Sequence, residues 1–151
     1  MTTTMDTLRE TMARQGVFRA TQDYWRDPDD FIALHEVAHA LDLGLDTAEP
    51  TVIDRALRAF PLRARLAAEV AAMATAFALL ARLGAPTQWT PETMATEVII
   101  AARRHAIRGT PIPWHAADIA AAIRRAIPQP RAQALAARII AQGAAVGVPR
   151  G

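Results

Sequence analysis

Two of the four histidines in this 151-residue chain, His35 and His39, stand four positions apart, with Glu36 directly after the first. On a helix that spacing projects both imidazoles from one face, one turn apart, so that a single tetrahedral ion can take both at roughly 2.0–2.1 Å. A glutamate at the second position of the motif can take a proton from water acidified by the ion and pass it to a leaving group. The order His35-Glu36-Val37-Ala38-His39 is therefore a pattern for metal-assisted hydrolysis, with Glu36 as general base. Its flanks, Ile32, Ala33, Leu34, Ala40 and Leu41, are uncharged, which predicts a buried helix. A buried Glu36 is costly without compensation, and a cation between the histidines supplies it.

A catalytic metal site takes a third protein ligand and keeps one position open. The leading candidate is Glu69, a lone acid in the apolar stretch Leu66 to Ala72, 30 residues after His39. Such a glutamate either faces water at a helix edge or meets a buried cation. Glu97 and His105, on a later helix with Met94, Val98 and Ala101, are alternatives. Asp42 lies three residues after His39, where it can orient the imidazole or be a solvated acid in the last turn. Tyr24, His105, His115 and the Arg103-Arg104 pair are possible donors to a developing oxyanion, and the residues do not choose among them. His115 follows Trp114 at a helix start, which favours capping or packing.

The elements that must position these groups are helical. A first helix covers Thr2 to Gln15, with Leu8, Met12 and Met5 on one face. Gly16 to Trp25 reads as a short strand or a further helical turn. The motif helix starts at Asp27-Pro28-Asp29-Asp30 and stops before Gly44. Further helices follow over Thr51 to Phe60, Leu62 to Leu83 (ended by Gly84) and Thr90 to Ile107. The last two span Trp114 to Ile127 and Pro130 to Gln142, with residues 142–151 as a frayed tail. The composition is alanine-rich and poor in β-branched runs. The expected fold is predominantly α, a single compact domain over 1–151 with at most a minimal β element near residues 16–25.

Composition narrows the chemistry. The absence of cysteine excludes disulfides, thiolate metal sites and cysteine nucleophiles, so any metal rests on histidine and carboxylate. The pI of about 10.3 suggests a nucleic-acid partner, but the formal net charge is only +2. All 17 basic residues are arginine, which holds its proton throughout and inflates the pI. Arg103, Arg104, Arg108, Arg124 and Arg125 could share a surface, yet solvated helix faces explain them as well. The start of the chain is polar, unlike a signal peptide, and the most apolar run, Val70 to Ala81, falls short of the ~20 residues that span a bilayer. These features predict a cytoplasmic protein with no membrane partner.

The string His35-Glu36-Val37-Ala38-His39-Ala40-Leu41-Asp42 resembles the active-site helix of HExxH zinc metallopeptidases of the gluzincin type, including the anthrax lethal factor family. The segment Ala68 to Phe77, followed by Leu83-Gly84, resembles the glutamate helix in the metallopeptidase domain of ArdC-type antirestriction proteins, with a looser likeness to the ImmA/IrrE peptidases. The likeness covers Phe31 to Gly84, about a third of the chain. It implies a Zn2+ site ligated by His35, His39 and Glu69, with Glu36 as general base and a peptide or protein as substrate. Many gluzincins carry an aspartate or asparagine four residues after the ligand glutamate, and here that position is Met73. Zincins also hold peptide along the edge of a sheet, for which this chain has little room. The alternative expectation is a helical regulatory or interaction protein whose metal is structural or whose site has decayed.

Overall fold

The computed structural model describes residues 5–14, 30–105 and 113–142. The possible strand at 16–25, Tyr24 and the tail from 143 lie outside the described residues, as do the side chains of Arg104 and His105. Seven helices and no strand occur among the described residues: α1 (Met5–Arg14), α2 (Asp30–Leu43), α3 (Pro50–Arg58), α4 (Leu62–Leu83), α5 (Pro91–His105), α6 (Ala116–Ala126) and α7 (Pro130–Gln142). The predominantly α architecture agrees with the periodicity.

The boundaries follow from local chemistry. Gly44 and Gly84 take positive φ, 68° and 63°, a region closed to most residues with a Cβ. Each stop is tied by the following residue: Leu45 N–H reaches back to Ala40 O at 2.9 Å, and Ala85 N–H to Leu80 O at 3.0 Å. At the start of α5, the Thr93 N–H donates to Thr90 Oγ1 at 3.2 Å while the Thr90 N–H donates to Thr93 Oγ1 at 2.9 Å. Threonine thus replaces the usual glutamate of a capping box. His115 occupies the extended position before α6 and makes no side-chain capping bond, so the expected capping role is not realised.

Two helices form the centre. Phe31 to Ala40 of α2 is buried on every side, as expected of a helix apolar all round. Against it lies α4, which also packs on α6 and α7 and touches α3. Over its 22 residues α4 is long and apolar enough to cross a membrane, more so than its central apolar run suggests. Here it is a core helix: Met73, Leu79 and Leu80 are buried, and Phe77 meets Phe31 with ring centroids 4.5 Å apart.

The outer helices each contribute a narrow stripe. Leu8 and Met12 of α1 are buried, as are Ile53 and Leu57 of α3. Ile119 and Ile123 do the same for α6, and Ala132, Ala136 and Ile139 for α7. These spacings of three and four are the seam periodicity of amphipathic helices. Polar contacts set the outer register: Arg82 of α4 donates to Gln133 Oε1 of α7 at 2.9 Å, and Arg124 of α6 pairs with Glu92 of α5.

Candidate metal centre

Because α2 lies against α4, the face bearing His35 and His39 meets Glu69. His35 Nε2 donates to Glu69 Oε2 at 3.3 Å, and His39 Nε2 lies 3.1 Å from Glu69 Oε1. One ligand atom from each residue falls within 4.8 Å of the others, a group that could hold a metal ion. The imidazoles stand edge to face, with ring centroids 4.5 Å apart. Both histidines are buried, and the Glu69 side chain is 16% exposed.

The donor set fits an ion better than it fits itself. His39 is 1% exposed, yet neither ring nitrogen has a hydrogen-bond partner. Its Nε2 is close to Glu69 Oε1 but misaligned for donation. Buried imidazole nitrogens are normally satisfied, and leaving them bare costs desolvation energy. Three ligand atoms within 4.8 Å of one another, with the nitrogens of His39 left unsatisfied, form a group that a cation could complete. Two imidazoles and one carboxylate are nitrogen and oxygen donors of the kind that hold divalent metal ions.

Without an ion, a proton takes on part of its role. Burial by itself would lower the His35 pKa, but the carboxylates of Glu36 and Glu69 outweigh it and push the value up to about 10. Burial would likewise raise the Glu69 pKa, yet the charge of His39 and the hydrogen bond and charge of His35 hold it well below the ordinary carboxylate range. The metal-free centre is thus an imidazolium–carboxylate cluster, and a metal must displace its proton to bind.

The three residues line one wall of a partly open cleft with a cavity volume of about 60 Å³, and Glu36 lines it beside them. Glu36 Oε1 stands 3.5 Å from His35 Nδ1, and the residue is 3% exposed. The remaining walls are Ile53 and Leu57 of α3, Met73 of α4, Met94 and Val98 of α5, and Trp114. Met73, four residues after Glu69, is buried and forms an apolar part of the wall.

Other candidates separate clearly. Glu97 lines the cleft but stands outside the ligand group. Arg103 is exposed and so is His115, and neither lines the cleft. Asp42 does not orient His39: both its oxygens accept from Arg131 Nη2 of α7, at 2.7 and 2.6 Å, and His39 Nδ1 has no partner. Position three after His39 suggested the imidazole, but a guanidinium from 89 residues away competes better for a carboxylate near the surface. The sequence reading missed Arg65 and Asp54, which also line the cleft. Arg65 was detectable, since it lies one helical turn before Glu69 on the same face.

The chain matches no family model, no curated protein and no solved structure.

Proposed function

We propose that this protein is a zinc-dependent hydrolase, a small metallopeptidase in which His35, His39 and Glu69 hold the ion and Glu36 is the general base. The observation that carries the reading is the convergence of the three donors within 4.8 Å on the wall of a cleft that Glu36 also lines. A zinc ion held there would act as a Lewis acid, lowering the pKa of water toward ~7 and polarising a carbonyl. Glu36 accepts the proton from the attacking water and returns it to the departing amine. Its burial beside His35 keeps the carboxylate from exchanging freely with bulk solvent. Met73, Met94 and Val98 keep the surrounding wall apolar, which strengthens the electrostatic contacts within. The likeness of Phe31 to Gly84 to gluzincin active-site helices supports the same assignment.

One observation favours a second reading, a regulatory helical protein with a structural metal. No strand occurs among the described residues, so none of them offers an edge for strand addition by an extended peptide.

Metal content decides first. About one zinc per chain is expected in the wild type, and loss of it in both His39→Ala and Glu69→Ala. Zinc retained in Glu69→Ala would move the third ligand elsewhere, and no zinc in the wild type after zinc addition would remove the hydrolase reading. Peptide hydrolysis abolished in Glu36→Gln at unchanged zinc content supports catalysis. Zinc bound with no hydrolysis of a broad peptide library favours the structural role.

A further inference from the structure

We infer that Arg65 is the anchor for a carboxylate on the substrate, so that the cleft accepts the C-terminal end of a peptide or an N-acyl amino acid. This deepens the hydrolase reading and rests on it for the reaction, though not for the binding.

Arg65 is 9% exposed and lines the cleft. A guanidinium keeps its charge at any ordinary pH and offers five donors, so burying one demands carboxylate or similar partners. The partner it has is poor. Arg65 Nη2 stands 3.6 Å from Asp54 Oδ1, beyond hydrogen-bond length. The same aspartate is held more closely by Arg58, at 2.8 Å. Among the described residues its one ion pair is long and that partner is also held by Arg58, so the guanidinium has capacity for a planar, bidentate anion.

The position suits a terminal carboxylate. Arg65 and Glu69 share a face of α4, one turn and ~6 Å apart along the axis. A C-terminal carboxylate lies one residue, ~3.5 Å of extended chain, beyond the last amide carbonyl. Holding the carboxylate at Arg65 therefore directs that amide toward the Glu69 end of the cleft. The other carboxylates on the walls, Glu36, Asp54 and Glu97, repel an anion, which leaves Arg65 as the one side-chain cation among the described lining residues besides the two histidines. Recognition by a charged end also removes the need for a strand edge, so the same inference accounts for a hydrolase whose described residues are all helical or loop.

The test is calorimetric titration of N-acetyl-L-leucine and of N-acetyl-L-leucinamide into the full chain, both zinc-loaded and metal-free. The acid is expected to bind about tenfold or more tightly than the amide. That preference should vanish in Arg65→Gln and persist in reduced form in Arg65→Lys, which keeps the charge but not the fork. Asp54→Asn should tighten binding of the acid by freeing the guanidinium, an effect that a purely structural Arg65 would not produce. Should Arg65→Gln fail to fold by circular dichroism, Asp54→Asn decides alone, with unchanged or weaker acid binding overturning the proposal. Equal binding of acid and amide, no binding of the acid, or a preference that survives Arg65→Gln also overturns it. The metal-free titration reads Arg65 alone, so a protein that binds no zinc yet prefers the acid refutes the hydrolase reading and keeps the anchor. Zinc binding without acid preference does the reverse.

Discussion

The two halves of α4 follow one periodicity and do opposite work. Toward its C-terminal end, Ala72, Ala76, Leu79 and Leu80 are buried among apolar neighbours. Phe77 packs on Phe31, and Gly84 closes the helix with its carbonyls satisfied. Toward its N-terminal end the same inward face carries Arg65 and Glu69, charged groups in a place where charge is expensive. The first half gains stability from burial. The second spends it to hold donors at fixed positions, and a ligand can recover what was spent. A helix is indifferent to which side chains occupy its inner face, so one element can serve as both scaffold and site.

Substitutions on the two halves should therefore separate stability from binding. Leu79→Ala empties a fully buried leucine site and should cost about 2–5 kcal/mol in denaturant unfolding, with zinc stoichiometry of the folded fraction unchanged. If Leu79→Ala also weakens zinc binding in the folded protein, the halves are coupled and the contrast fails. Glu69→Gln should do the opposite. Zinc affinity, read by competition with a chelator, should drop by more than about a hundredfold, while metal-free stability changes less than in Leu79→Ala.

Acidity sharpens the same contrast. His35 has its pKa raised in the folded state from 6.5 to about 10, so its contribution to metal-free stability is complete below 6.5 and lost as pH rises through about 10. Glu69 is depressed below its ordinary 4.5, so its contribution is complete above that value and lost as pH falls through the lowered pKa. The cluster thus stabilises the metal-free chain most between about pH 4.5 and 6.5. Zinc must displace the His35 proton, so the increase in thermal midpoint on adding zinc should grow from pH 6 to pH 8. An increment that stays flat or shrinks would contradict the protonated cluster. The smallest effect belongs to the scaffold half: Gly84→Ala forces a Cβ into φ 63° and should cost about 1 kcal/mol, with no change in zinc affinity.

Much of this was legible in the residues. The helix ends at Gly44 and Gly84, the start at Thr90-Pro91, and the stripe of Leu8 and Met12 all depend on neighbours within a few positions. Backbone hydrogen bonds and φ preferences act over that range, so a local pattern is sufficient. The same holds for His35 and His39, whose common face is a consequence of helical pitch. Asp42 shows the limit of such reasoning. Its place in the helix pointed to His39, and its partner is Arg131 on the last helix.

By itself the sequence determined seven helical segments, two imidazoles on one face with a glutamate between them, and a donor set restricted to nitrogen and oxygen. Only the tertiary structure brought Glu69 beside His35 and His39, turned Asp42 toward Arg131, and placed Arg65 in the cleft. Those contacts join residues 34 and 89 positions apart. No periodicity spans such distances; which helix packs on which is decided by how the buried stripes fit together across the whole core.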